Sequence, residues 1–280
     1  MTSDNSYTFL NYKLSLVLLL VLHVPIFLTR YIEYNVQMTC QSCVTAIRNS
    51  LEGQDGIQSF SIDLPTETVV VETSLPSQVI QDIMETTGRR AVLKGMGNTL
   101  GQSLGAAVSI MDRKDTPVTG MTRIVQLNED TCLFEGTIDG LLPGEHGVFV
   151  HELGDMSEGC ESCGDVLQDS NGQVIGNLGM VTTGKDGRAT FRWENKNVKV
   201  WEMIGRSLVI HSKDDKRLMK NTDNFGKKED CRVACGIIAR SSGLFQNPKK
   251  ICLCDGVTLW DERDVPLVGP ERQKKAMANL

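Results

Sequence analysis

The sequence predicts two folded domains of different class: an α+β domain with the order βαββαβ, then an antiparallel all-β sandwich or barrel, with a flexible C-terminal tail. Residues 31–96 alternate strand-like runs with runs of helical period, whereas residues 106–239 contain short β-type runs separated by Gly, Asp and Asn. The length of 280 residues also exceeds that of one ordinary domain.

The first domain is predicted from the spacing of its apolar residues. Its strand-like runs are YIEYNVQM, IQSFSID, TVVVET and RAVLK. Apolar residues recur at helical spacing in the two segments between them, namely Val44, Ile47 and Leu51, and then Val79, Ile83 and Met84. Gly53 and Gly88 stand where these helices should end, and Pro76 stands where the second begins. This order is typical of a ferredoxin-like sandwich.

The second domain is predicted from the runs AAVSIM, TRIVQL, CLFEGTID, HGVFVHEL, GRATFRW and SLVIHS, which have almost no helical period. The small and polar residues at 97–105, GNTLGQSLG, indicate a linker before it. Residues 240–280 lack the apolar periodicity of a core, so we expect a mostly flexible tail that becomes ordered on binding.

Residues 1–30 are read as an apolar N-terminal extension or signal segment outside both domains. The apolar run at 14–28 has the length of a signal-peptide core, which leaves a secretory or membrane location open. Lys13 is the only positive charge before it, His23 and Pro25 interrupt it, and no small-x-small cleavage site follows. We therefore expect a cytoplasmic protein.

Charge and cysteine content narrow the classes of partner. A formal net charge of -6 gives no general attraction to phosphates, so nucleic acid is not expected as a partner. The nine cysteines are an odd number, unlike a fully paired secreted framework, and most of them cluster in close pairs. Thiols kept reduced at such short spacing indicate metal ligands or redox groups.

Cys40 and Cys43 form a CxxC pair between the first strand and the first helix. A helix N-terminus lowers the pKa of thiols, and thiolates select Cu(I) or Zn. Two ligands on an exposed loop suit Cu(I), because a closed structural zinc site needs four. A thioredoxin-like redox pair and a purely structural pair are the alternatives. We expect Met38 to pack beneath the loop rather than to bind metal.

Cys252 and Cys254 form a second pair, CxC, in the polar tail. Alternate residues of an extended chain point to opposite sides, so both sulfurs reach one ion only where the backbone turns, which a flexible tail permits. A role in metal binding or thiol exchange competes here with chance occurrence. Cys132, on a strand, is read as a small buried hydrophobe. Cys163 and Cys231 receive no assignment.

Several segments of the second domain carry a resemblance to copper/zinc superoxide dismutase: GLLPGEHGVFVHELGD, Gly159-Cys160, GNLGMVTTGKDGRA, GRSLVIHSKDD and RVACGIIA. The CxxC domain before them resembles the soluble heavy-metal-associated copper chaperones. With GLFQNPKKICLCDG after them, the order of the three parts is similar to that of the copper chaperones for superoxide dismutase. The resemblance implies a Greek-key barrel for the second domain.

The dismutase resemblance breaks at the metal ligands. Of the four copper-ligand positions that it implies, His151 and His211 keep histidine, whereas Phe149 and Val166 replace it. Val174 and Asn177 stand at zinc-ligand positions in a shortened loop, so no zinc site is expected. Dismutase activity is therefore not expected, because copper would lack its bridging imidazole. His146, His151 and His211 are read as interior residues, with a residual copper site at the last two as the alternative. Arg232, at the anion-guiding position, is read as inherited or structural.

The resemblance implies a metallochaperone that is not itself an enzyme. Cys40 and Cys43 would take Cu(I) from a copper importer or another donor, and the barrel would dock on copper/zinc superoxide dismutase as a transient heterodimer, with a homodimer as a further option. Cys252 and Cys254 would help insert copper or exchange thiols with the target. The resemblance also implies a Cys160–Cys235 disulfide. A copper buffer or sensor without a delivery partner, and a secreted dismutase, are the rival functions.

Overall fold

The computed structural model describes residues 29–98, 100–112, 116–212 and 232–247. It confirms the predicted βαββαβ domain followed by an all-β barrel. The first domain consists of β1 (Arg30–Val36), α1 (Gln41–Leu51), β2 (Ile57–Asp63), β3 (Thr68–Thr73), α2 (Ser77–Glu85) and β4 (Ala91–Met96). Its four strands pair antiparallel in the order β2-β3-β1-β4.

The helices of the first domain cover one face of its sheet. Cys43, Val44, Ile47 and Leu51 form the buried face of α1. On α2 the buried apolar residues are Ile80 and Met84, whereas Val79 is 39% exposed. The predicted stripe through Val79 was therefore displaced by one position, because consecutive apolar residues allow two helical registers and packing selects one. Gly53 and Gly88 follow the two helices with positive φ, as predicted.

The barrel contains eight antiparallel strands: β5 (Ala106–Asp112), β6 (Thr119–Gln126), β7 (Cys132–Asp139), β8 (Gly144–His151), β9 (Asn177–Thr183), β10 (Ala189–Asn195), β11 (Ser207–His211) and β12 (Arg232–Arg240). Their order is β10-β7-β6-β5-β12-β11-β8-β9, and the edge strands β9 and β10 lie side by side, so the barrel is nearly closed. A 3₁₀ turn (Glu161–Cys163) and one short helix, α3 (Val200–Met203), complete the described elements.

Two connecting segments pack where the domains meet. In the predicted linker, Asn98 is buried, and its Oδ1 accepts hydrogen bonds from the backbone N–H groups of Leu100 (2.9 Å) and Gln102 (2.7 Å). After β12 the chain returns to the first domain, where the Leu244 N–H donates to the Met96 carbonyl (2.8 Å). The described start of the tail is thus attached to β4.

The two domains share a continuous apolar contact and a buried ion pair. Barrel residues Val125, Leu127 and Leu133 pack into the core of the first domain. Beside them, Arg30 Nη2 donates to Glu135 Oε2 at 2.5 Å, and Arg30 is fully buried. The other oxygen of Glu135 accepts hydrogen bonds from the backbone N–H (2.9 Å) and hydroxyl of Ser77 at the start of α2.

The helices of the described residues include none with the length and hydrophobicity of a membrane span.

The first prediction concerns this junction. Glu135→Gln removes the charge that balances buried Arg30, and breaking a buried ion pair costs about 3–5 kcal/mol. The matched control on the same strand is Asp139→Asn, whose pair with Arg188 is exposed and contributes about 0–1 kcal/mol. Urea unfolding should show a much larger decrease in the free energy of unfolding for Glu135→Gln. Equal decreases for the two variants would contradict the role assigned to Glu135.

Candidate metal centre

The end of β1 and the start of α1 place the Cys40 and Cys43 thiols on one turn. Cys40 is the N-cap residue with extended backbone, and Cys43 is the third residue of the helix. The Cys43 N–H donates to the Cys40 carbonyl at 3.0 Å, and the two Sγ atoms are 3.7 Å apart. Two sulfurs on one ion, each about 2.3 Å from it as in zinc thiolates, are at most about 4.6 Å apart. Both sulfurs can therefore bind one ion without rearrangement of the helix.

The two thiols differ in exposure. Cys40 is exposed, whereas Cys43 is buried in the core of the first domain together with Met38, which packs there as the sequence predicted. A buried sulfur holds its position, and an exposed one can be reached by the thiol of another protein. This asymmetry suits an ion that must be bound and later given up, since thiolate ligands exchange one at a time.

Hydrogen bonds favour the thiolate forms. The Thr39 backbone and the Arg89 side chain, its two largest influences, lower the pKa of Cys43 from its ordinary value of 9.0 to about 6. The Ser42 hydroxyl, 3.0 Å from Cys40 Sγ, is the largest of the influences that lower the pKa of Cys40. At neutral pH a soft cation therefore meets at least one thiolate without first having to displace its proton.

The pKa of Cys132 is shifted in the opposite direction. This residue is fully buried in the barrel core, and its single S–H is shared between two acceptors, Gln126 Oε1 (3.0 Å) and the Val198 carbonyl (3.1 Å). Burial raises its pKa to about 12. Cys132 therefore remains a protonated, unreactive thiol, in agreement with its reading as a small buried hydrophobe.

The described histidines of the barrel form hydrogen bonds with backbone carbonyls and with each other. The His151 Nδ1–H faces the Gly164 carbonyl at 2.9 Å, so the Nε2 of neutral His151 is left to accept from His211 Nε2–H, 3.0 Å away. Phe149 packs on the His211 ring, and Val166 is buried beside His151. This hydrogen bond uses the nitrogens that a copper ion between the two histidines would need. His146 is also buried, and its Nε2 bonds to the Leu142 carbonyl at 2.7 Å.

The loop after β8 is joined to β12 in two ways. A disulfide connects Cys160 with Cys235, as the resemblance implies, with Cα atoms 5.6 Å apart. Arg232 also donates from Nη1 to the carbonyls of Cys160 (2.7 Å) and Glu161 (3.2 Å), which gives this arginine a structural task. In the shortened loop, Val174 forms a bridge with Gln168, and the exposed Asn177 accepts a hydrogen bond from the Gly179 N–H.

No three His, Cys, Asp or Glu side chains cluster to hold a metal ion anywhere in the described part of the chain. Within that part, Cys40 and Cys43 bring two sulfurs together. Cys231, Cys252 and Cys254 lie outside the described residues, so their assignments stay predictions.

A row of exposed apolar residues on the barrel was missed from the sequence. Ile237 on β12 faces Ser207 on β11, whose hydroxyl donates to the Leu153 carbonyl (2.7 Å). Ile238 on β12 pairs with Ser109 on β5, so continuing the register by one residue brings Ile110 level with Ile237. Ile110, Ile237 and Leu153 are 46%, 47% and 51% exposed. We call these three residues the docking row. The sequence gives no clear signal for them, because Ile110 and Ile237 each adjoin another apolar residue, and only the structure shows which of the two is exposed.

The second prediction tests the thiol pair. In the metal-free protein, the alkylation rate of Cys43 should rise with pH around an inflection near 6, because only the thiolate reacts. Arg89→Ala should move the inflection upward, since a hydrogen bond to the thiolate is lost, whereas the neighbouring Arg90→Ala should not. Because the folded-state pKa of Cys43 is lowered, the contribution of Cys43 to copper affinity should be lost as pH drops through about 6. An inflection near 9 in the unaltered protein would be incompatible with this description.

Comparison with known proteins agrees with both domains. Residues 33–90 match the heavy-metal-associated domain family, and residues 118–238 match the copper/zinc superoxide dismutase family. The chain is 51% identical over 261 residues to the copper chaperone for superoxide dismutase of Sus scrofa, and 49% identical over the same length to that of Homo sapiens. Each match covers 88% of this chain and 93% of the relative.

A fungal relative extends the agreement. The superoxide dismutase 1 copper chaperone of Saccharomyces cerevisiae is 30% identical over 236 residues, which are 82% of this chain and 92% of the relative. These relatives are named as chaperones and not as dismutases, although they match the dismutase-like part of the chain. The chain belongs to the family of copper chaperones for superoxide dismutase.

Proposed function

We propose that this protein binds Cu(I) through Cys40 and Cys43 and delivers it to copper/zinc superoxide dismutase. The observation that carries the proposal is the 3.7 Å separation of one exposed and one buried sulfur, with the pKa of the buried one lowered to about 6. A target thiol can attack the ion from the side of Cys40 while Cys43 still holds it. Such a site binds copper and also allows its exchange.

The docking row supports delivery over storage. Leu153, Ile237 and Ile110 are exposed apolar residues on neighbouring elements, with Ser207 of β11 between Leu153 and Ile237. The backbones of β5 and β12 approach closely here, since a Cβ on Gly236 would lie 2.3 Å from the Ile110 carbonyl oxygen. A copper buffer needs no such surface. A dismutase subunit is the proposed occupant, because a barrel of the same family can present a complementary apolar face.

The tail pair is proposed to act on the target's thiols. In this scheme Cys252 and Cys254 begin as a disulfide. One target thiolate attacks it to form a mixed disulfide, and a second target thiolate then displaces the tail. The target gains a disulfide and the tail pair is reduced, so electrons balance. Cytoplasmic location and the lack of a zinc site belong to the same proposal.

The third prediction is a maturation assay with full-length protein. Cu(I)-loaded protein is mixed with copper-free, disulfide-reduced dismutase, and dismutase activity and target disulfide are both measured. Cys40→Ser/Cys43→Ser should abolish activation because no copper is carried. Cys252→Ser/Cys254→Ser should retain Cu(I) on the first pair but fail to form the target disulfide. Full retention of Cu(I) with no activation of the target would favour the buffer.

The fourth prediction concerns docking. Ile110→Lys buries a charge in the proposed interface and should weaken binding to copper-free dismutase at least about tenfold, or ~1.4 kcal/mol. The control is Met180→Lys, an exposed apolar position on β9, three strands from β12 in the sheet. Binding by calorimetry should be unchanged in this control. If both variants bind like the unaltered protein, or if Ile110→Lys disrupts only a homodimer, a dismutase is not the occupant of the docking row.

A further inference from the structure

Three cysteines, and not two, meet where the loop after β8 crosses β12. Cys163 is fully buried and packs with Val209 and Cys235 in a small cluster that Cys160 borders. Cys160 and Cys235 form the disulfide, and Cys163 remains a thiol whose Sγ donates to the Asp155 carbonyl at 3.6 Å. A nucleophilic group is thus packed against a disulfide, and copper binding makes no use of it.

The local backbone gives Cys160 a second partner. Cys160 is the N-cap of the 3₁₀ turn that Cys163 ends, and the Cys163 N–H donates to the Cys160 carbonyl at 3.4 Å. Cys40 and Cys43 have the same spacing and the same kind of backbone bond, at 3.0 Å, and their sulfurs lie 3.7 Å apart. The sequence Cys160-Glu-Ser-Cys163 is therefore a second CxxC turn, in which the first cysteine is already bonded elsewhere.

We propose that Cys160, Cys163 and Cys235 form an intramolecular thiol–disulfide exchange site. Cys163 loses its proton, and its thiolate attacks Cys160 Sγ. The Cys160–Cys163 bond forms, the Cys160–Cys235 bond breaks, and Cys235 leaves as a thiolate that takes up a proton. One disulfide and one thiol are present before and after the exchange, so neither an oxidant nor a reductant is required.

Contacts outside the disulfide keep the turn in position during exchange. Arg232 on β12 donates to the carbonyls of Cys160 and Glu161. The Leu153 N–H donates to the Cys163 carbonyl at 2.9 Å. These bonds do not involve the sulfurs, so the three cysteines stay together when the disulfide changes partner. Although Cys163 is buried, the disulfide that it attacks lies in the same cluster, so the two can meet without entry of a reagent from solvent.

The two disulfides constrain the loop after β8 differently. The Cys160–Cys235 bond joins residues 75 apart in sequence and fixes the loop to β12, whereas a Cys160–Cys163 bond lies within one turn. Two residues of the docking row lie beside these cysteines: the Leu153 N–H donates to the Cys163 carbonyl, and Ile237 is two residues from Cys235. Exchange therefore releases β12 from a covalent tie beside the docking row. This last consequence rests on the proposed function, whereas the exchange itself does not.

Linkage mapping in the full chain tests the proposal. Native protein is incubated with N-ethylmaleimide without reductant, then acid-quenched and digested with a protease that cleaves after glutamate. Glu161 separates Cys160 from Cys163, so mass spectrometry distinguishes the two disulfides. We expect Cys235 to become labelled as the Cys160–Cys163 linkage accumulates. In Cys163→Ser this labelling should disappear. Cys132→Ser, the control at a buried thiol of the barrel core, should label like the unaltered protein.

A second variant tests directly whether Cys160 and Cys163 can form a disulfide. Cys235→Ser should form Cys160–Cys163 in a buffer of reduced and oxidised glutathione. The proposal is overturned if this variant keeps both thiols free, or if Cys235 labels equally in Cys163→Ser, which would mean that another thiol opens the disulfide. Because the mapping uses no copper and no dismutase, its outcome is independent of the maturation assay, and either proposal can fail alone.

Discussion

The carboxylate of Glu135 is the group on which the arrangement of the two domains depends. It belongs to barrel strand β7, yet it accepts hydrogen bonds from Arg30 and Ser77 of the first domain. A buried ion pair is tolerated only when its geometry and remaining hydrogen bonds are nearly ideal, so few placements of one domain on the other satisfy it. The apolar contact with Val125 and Leu133 supplies buried area, and the ion pair selects the geometry. The position of the Cys40–Cys43 pair relative to the docking row follows from this contact.

Environment gives chemically identical thiols different tasks. Hydrogen bonds from Thr39 and Arg89 lower the pKa of Cys43 to about 6, and burial among apolar side chains raises that of Cys132 to about 12. Both shifts start from the same cysteine value of 9.0, so the difference between them comes from the surroundings. In the barrel, Phe149 packs on the ring of His211, and His151 and His211 hydrogen-bond to each other. In the proposed function, the dismutase-like barrel serves recognition while the loop of Cys40 and Cys43 carries the copper.

Much of the fold and the position of the Cys40–Cys43 pair could be predicted, because they depend on local sequence patterns. Runs such as IQSFSID and TVVVET coincide with β2 and β3, since alternating β-branched residues determine local conformation strongly. The CxxC spacing placed Cys40 and Cys43 correctly on a helix N-terminus. Features that depend on distant contacts could not be predicted. A single Glu in CLFEGTID does not reveal that Glu135 meets Arg30, 105 residues earlier, and no spacing shows that Cys163 packs beside Cys235.

In the proposed function, copper passes directly from the Cys40–Cys43 pair to a docked dismutase. The most direct measurement mixes Cu(I)-loaded protein with copper-free dismutase in an excess of a strong Cu(I) chelator, separates the proteins and quantifies copper in each fraction. Direct transfer predicts that copper is recovered with the dismutase despite the chelator, and that Ile110→Lys diverts it to the chelator. Recovery of the copper with the chelator from the unaltered protein as well would show that it is released to solvent, which contradicts delivery within a complex.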